Sequence, residues 1–186
     1  MSKATVIPQL MAVFQQYGYE GASITRFSEA TGLKRASLYH YFPNGKEEMA
    51  AVVLDYITQA LKEQLLAPLH SDRPPIDRIR AMNQKVDAFY QHGQQDCLLA
   101  LLSIGEAHQL FQAQVQQALH LWIDSLAAVL VEAGLSSITA RHRAEDAIVQ
   151  IQGALVLTRG LNDTATFERL LHQMPETLLR PDDTLE

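Results

Sequence analysis

Apolar residues recur three and four positions apart almost from end to end of the chain, and no stretch alternates apolar with polar as a half-buried strand would. The pattern predicts an all-α fold of about nine helices. Ile7, Leu10, Met11 and Phe14 form the first stripe, with Pro8 tolerable only in a first turn and Gly18 near the end. A second, short helix should start from an N-cap at Ser23 and run to Thr31, before Gly32. A third spans Arg35 to Tyr41 and stops at Pro43-Asn44-Gly45. The fourth, from Lys46 to Ala67, carries Met49, Val52, Val53, Tyr56 and Ala60 on one face. The segment from Pro68 to Pro75 reads as a loop.

Beyond that loop, Ile79, Met82, Val86 and Phe89 mark a fifth helix that ends near Gly93, and Leu98 to Ile104 a short sixth. The seventh is long, with Phe111, Val115, Leu119, Trp122, Leu126 and Val129 on a stripe closed by Gly134. Ala144, Ile148, Ile151, Leu155 and Thr158 define the eighth; Phe167, Leu170, Leu171 and Met174 define the ninth, which Pro175 should kink or end. There are no internal repeats and no low-complexity tracts.

At 186 residues the chain can hold one good core, or a small domain fused to a larger one. Its 47% hydrophobic and 19% charged residues are ordinary for a globular protein. No apolar run reaches the roughly 20 residues of a membrane span, and the N-terminal residues lack a secretory h-region. With one cysteine, Cys97, there is no intramolecular disulfide framework, and the expected location is the cytoplasm. The net charge of −6 is unevenly spread. Residues 1–50 carry five Lys/Arg against four Asp/Glu, a net of +1, and the remainder carries −7. Phosphate attraction depends on the field within about a Debye length, so the N-terminal region alone permits nucleic-acid binding.

The informative stretch runs from Ser23 to Phe42 and reads as two short helices joined by a tight turn at Gly32. Phe27, Ala30, Leu33, Leu38 and Phe42 can close one small core. The outward face of the second helix then carries Lys34, Arg35, Ser37, Tyr39, His40 and Tyr41. Such a helix fits the major groove with its N-terminal residues near base edges. Lys46 opens the next helix, where a cation and free backbone N–H groups can meet a phosphate.

At these residues the chain resembles the TetR family of bacterial transcriptional regulators. The family pattern has Thr or Ser opening the second helix, an alanine-glycine turn, Leu-Tyr-x-x-Phe closing the third, and then Lys-Glu-Glu. Here those positions read Ser23, Ala30-Thr31-Gly32, Leu38-Tyr39-His40-Tyr41-Phe42 and Lys46-Glu47-Glu48. The resemblance implies that Tyr39 and Lys46 grip phosphates while Arg35, Ser37 and His40 approach bases. The expected DNA-contacting set is Ser23, Thr25, Lys34, Arg35, Ser37, Tyr39, His40 and Lys46. The extra residue in Phe42-Pro43-Asn44-Gly45-Lys46, with Asp96-Cys97-Leu98-Leu99 and Gln152-Gly153-Ala154-Leu155, is similar to a subgroup that includes regulators of drug-resistance genes. Many members carry a longer basic arm before the first helix, where this chain has only Lys3.

The resemblance also implies a domain division: a helix-turn-helix domain at 1–48 and a helical effector-binding and dimerisation domain at 49–186. It implies a repressor, bound to double-stranded operator DNA as a homodimer and released by a small-molecule effector. The candidate effector-lining residues are Phe89, Tyr90, Leu101, Phe111, Trp122 and Leu126, although an aromatic and leucine stripe at helical spacing is core more often than a ligand box. Ala147, Ile151, Ala154, Leu155 and Thr158, mixing small and branched side chains, are the candidate dimer interface, the alternative being that they pack inside one chain. The rival reading is a DNA-binding adaptor or activator whose C-terminal domain meets a protein partner. No cofactor, metal or catalytic residue is expected. His142, Glu145 and Asp146, and His120 with Asp124, read as solvated pairs, and no Gly-x-Ser-x-Gly, Walker or Gly-x-Gly-x-x-Gly motif occurs.

Overall fold

The computed structural model describes residues 3–181. Every regular element among them is helical: α1 (Lys3–Gly21), α2 (Ile24–Thr31), α3 (Arg35–Tyr41), α4 (Lys46–Ala60), α5 (Pro75–Phe89), α6 (Leu98–Leu101), α7 (Gly105–Glu132), α8 (Ser137–Leu161) and α9 (Ala165–Leu178). None is long and apolar enough to cross a membrane. The chain divides into two units. One joins the residues up to Gln59 with Cys97–Ala118; the other joins Ala60–Asp96 with the chain from Leu119 onward.

In the first unit α1 packs on α2 and α6, and α2 packs on α3. Val6, Leu10 and Phe14 of α1 are buried with Phe27, Leu38, Phe42 and Met49. Phe14 meets Phe27 edge-on at 5.1 Å and stacks on Tyr19 at 6.1 Å. Pro8 lies inside α1 rather than in a first turn, because the helix is already formed at Lys3; its missing N–H removes one bond near the helix start. Gly18, at φ 66° and ψ 179°, breaks α1 where the sequence places its end, and one further turn follows to Gly21.

In the second unit α9 packs between α5 and α8. The fourth helix stops earlier than its apolar stripe suggests. A π turn at Leu61–Leu65 and a 3-10 turn at Ala67–His70 replace its last residues. The wider turn shifts the helical phase by about a residue and brings Leu61, Leu65, Leu66 and Leu69 all inward, so the expected loop shrinks to residues 71–74. The sixth helix likewise ends at Leu101, leaving Ile104 exposed.

Candidate nucleic-acid interface

Local chemistry sets the angle between α2 and α3. Ser23 caps α2, its hydroxyl accepting from the Arg26 amide at 3.4 Å. Gly32 leaves the helix at φ 69°, a conformation that would strain a side chain. Thr31 Oγ1 donates to Phe27 O at 2.6 Å and accepts from Leu33 N at 3.2 Å, while Ser28 Oγ donates to Leu33 O at 2.6 Å. Phe27, Leu38 and Phe42 are fully buried beneath it and Leu33 is half-buried. Ala30, expected in this core, is exposed; Thr31, four residues from Phe27 rather than three, takes the inward position.

With Leu38 and Phe42 turned inward, α3 presents Lys34, Arg35, Tyr39 and His40 to solvent, with Ser37 and Tyr41 half-buried beside them. Ser23 and Thr25 are exposed at the start of α2. Arg35 Nη2 donates to Thr25 Oγ1 at 2.7 Å, so two of the sequence-derived contact residues are joined across the two helices. Tyr39 is 49% exposed, a high value for an aromatic ring. Its ring lies beside Gly45, where an added Cβ would stand 3.4 Å from Cε1, and this puts it next to the first amides of α4. His40 and Tyr41 meet edge-on at 5.8 Å.

Other cations in the region are engaged in the fold. Arg26 stacks on Tyr17 at 3.8 Å and donates to Gly21 O. Lys3 pairs with Glu48 at 2.9 Å and lies 4.8 Å over the Phe42 ring. That lysine, with the Asn44 amide, holds the Glu48 carboxyl below its usual range. Lys46 is half-buried, its Nζ donating to Tyr19 O at 3.2 Å and standing 4.1 Å over the Tyr19 ring. Two of the proposed grips thus start from different states: Tyr39 is open to solvent, whereas Lys46 is already tied to the end of α1.

One contact gave no sequence signal. Glu20, at the end of α1, accepts from the backbone amide of Glu106 at 2.8 Å, in the first turn of α7. Its own amide and that of Glu106, with the Lys46 cation, hold the Glu20 carboxyl below its ordinary value. Tyr19 beside it is pushed upward by burial, with Glu106, Glu47 and Glu20 adding to the effect, and it meets Phe111 edge-on at 5.7 Å.

Of the candidate effector-lining residues, Leu101 and Phe111 fall in the first unit, and Phe89, Tyr90, Trp122 and Leu126 in the second. Phe111, Tyr90, Trp122 and Leu126 are core side chains, and Tyr90 lies edge-on to both Phe89 (5.1 Å) and Phe167 (6.4 Å). Phe89 borders a cavity of about 550 Å³ together with Leu65, Pro68 and Lys85. The Trp122 indole N–H is buried and has no acceptor among the described residues. The five candidate interface residues of α8, Ala147, Ile151, Ala154, Leu155 and Thr158, are each 5% exposed or less. They face the interior of their own unit. The apolar residues that α8 does expose are Ile138, Val149, Val156, Leu157 and Leu161. The His120, Asp124 and Glu145 side chains converge on Arg141, at 3.4, 2.5 and 2.7 Å, so a guanidinium organises that cluster.

Comparison with known proteins agrees with this geometry. The sequence pattern of bacterial regulatory proteins of the tetR family matches residues 9–53, and that of the LmrA/YxaF-like transcriptional regulator C-terminal domain matches residues 75–173. The HTH-type transcriptional regulator LmrA of Bacillus subtilis is 20% identical over 184 residues, covering 96% of this chain and 97% of that one. A second B. subtilis protein, the uncharacterized HTH-type transcriptional regulator YxaF, is 26% identical over 84 residues, 45% of this chain and 44% of that one. The crystal structure of a TetR transcriptional regulator from Legionella pneumophila superposes with a TM-score of 0.83 at 22% identity, over 95% of this chain and 97% of that one.

Proposed function

Because the chain belongs to the TetR family of bacterial transcriptional regulators, in its LmrA/YxaF-like branch, we propose that it is a repressor that holds operator DNA as a homodimer and leaves it when a small molecule binds. Residues 1–48 act as the DNA-binding domain and residues 49–186 bind the effector and the second chain. The observation that carries the reading is the outward face of α3. Lys34, Arg35, Tyr39 and His40 stand exposed above a closed core of Phe27, Leu38 and Phe42, on and beside a helix of the width that a major groove admits. Arg35, Ser37 and His40 read bases. Tyr39 and Lys46, flanking the start of α4, grip the backbone, and Ser23, Thr25 and Lys34 complete the contact set.

The dimer uses the outer face of α8. Val149, Gly153, Val156 and Gly160 fall within roughly 60° of one another around the helix, opposite the buried Ala147, Ile151, Ala154 and Thr158. An added Cβ at Gly153 or Gly160 would meet nothing within 4 Å, so this stripe is low and allows another helix to approach closely. Two-fold pairing there sets two recognition helices against the two halves of a palindromic site. The effector reading is supported by the Trp122 indole N–H: a buried donor without an acceptor costs about 1–3 kcal/mol, which a bound ligand can recover.

The deciding experiment is binding to labelled DNA flanking the protein's own gene, against scrambled competitor, across a salt series. Specific binding that falls steeply with salt and is weakened by Tyr39→Ala supports the reading. Equal affinity for both fragments would remove it for that site.

A further inference from the structure

Arg78 is the one charged side chain buried among the described residues, at 7% exposure. Its Nη1 donates to Leu69 O at 3.1 Å and its Nη2 meets Glu132, but its Nε–H is buried without a partner. In a guanidinium, Nε–H and the Nη2–H beside it point the same way. They form the edge on which a carboxylate makes two parallel bonds. Glu132 fills half of that edge. Its side chain is 57% exposed, so the Glu132 carboxylate can turn to solvent and vacate that edge, whereas Arg78 stays buried.

The same residues wall a cavity of about 400 Å³ between the 67–74 connection and the C-terminal part of α7, all within the second unit. Ser125, 8% exposed, and Arg73 and His70 add hydrogen-bonding groups to its lining. Asp72 also borders it, which disfavours a multiply charged anion.

We propose that this cavity binds a small molecule bearing a single carboxylate, which displaces Glu132 toward solvent and takes both Nε and Nη2 of Arg78, with the Ser125 hydroxyl as a further donor. The site is independent of the operator reading, because it is tested on the protein without DNA.

The test titrates the full chain with acetate, benzoate, benzamide and inorganic phosphate at fixed ionic strength. Calorimetry and the 15N–1H resonance of Arg78 Nε, assigned by its loss in Arg78→Lys, are the readouts. A carboxylate is expected to bind saturably and shift that resonance, with benzamide and phosphate weaker by about tenfold or more. Glu132→Ala, which removes the internal competitor, is expected to tighten benzoate by about tenfold, and Ser125→Ala to weaken it roughly threefold. The proposal is overturned if neither acetate nor benzoate binds, if benzamide or phosphate binds as tightly, if Glu132→Ala leaves the affinity unchanged, or if binding leaves the Arg78 resonance where it was.

Discussion

Asn83 donates its side-chain amide to the carbonyl of Leu171 across 2.7 Å, and that carbonyl is the one that Pro175, four residues further on, leaves without a helical donor. The proline was expected to kink or end α9, yet the helix runs on to Leu178 with Pro175 buried inside it. An amide from α5 replaces the bond that the proline cannot make.

Removing that amide should therefore expose a buried carbonyl. Asn83→Ala is expected to lower stability by about 1–3 kcal/mol, measured by denaturant unfolding. In a Pro175→Ala background, where the residue 175 N–H can reach Leu171 itself, the same substitution should cost clearly less. Equal costs in the two backgrounds would show that Asn83 acts through packing and not through the orphaned carbonyl.

The link between Glu20 and the start of α7 should be visible as a pH dependence. The folded state lowers the Glu20 pKa below its unfolded value, chiefly through backbone amides. The stability it contributes is therefore complete above the unfolded pKa and disappears as pH falls through the folded one. Glu20→Gln is expected to melt below wild type near neutral pH, with the gap closing between about pH 5 and pH 3. A gap that is constant across this range would mean that the ionised carboxylate is not what matters.

The α2–α3 face makes three expectations for DNA. Tyr39→Phe, which removes only the hydroxyl, should weaken operator and scrambled DNA alike if that group holds phosphate. Arg35→Ala should instead narrow the difference between operator and single-base variants by about 1–3 kcal/mol at the position it reads. Thr25→Ala, which removes both a proposed contact and the 2.7 Å partner of Arg35, should reduce operator affinity without abolishing base preference. Competition binding at one salt concentration with a panel of single-base variants measures all three.

What the sequence disclosed and what it hid follow the range of the interactions. The α2–α3 turn was legible because its determinants are local: the Ser23 cap, Gly32 at φ 69° and the break at Pro43-Asn44-Gly45 all act within a few residues. The bounds expected for α2 and α3 are those observed. Ala30 was misplaced because an apolar residue and a threonine competed for one inward position. Thr31 could take it by turning its hydroxyl back onto the Phe27 carbonyl. The continuation of α9 through Pro175 depends on a partner 88 residues away, and no local pattern encodes that. Nor does periodicity reveal the π turn at Leu61–Leu65, where tertiary burial of four leucines overrides the helical phase.

The two faces of α8 are the hardest case, since both are apolar at the same period and the sequence cannot say which one the chain keeps for itself. The structure separates them, and the separation gives a paired test. Ile151 is fully buried, whereas Val156 is 66% exposed on the opposite side. Ile151→Asp should abolish cooperative folding, because it places a carboxylate in the core without a partner. Val156→Asp should leave the melting of the isolated chain nearly unchanged and convert a dimer to a monomer in sedimentation equilibrium. It should also weaken binding to a two-half-site operator far more than to one half-site, because the loss is of pairing and not of the reading helix. A Val156→Asp protein that remained dimeric would move the interface away from the Val149–Gly160 stripe, and the other exposed apolar residues of α8, beginning with Ile138, would be the next to substitute.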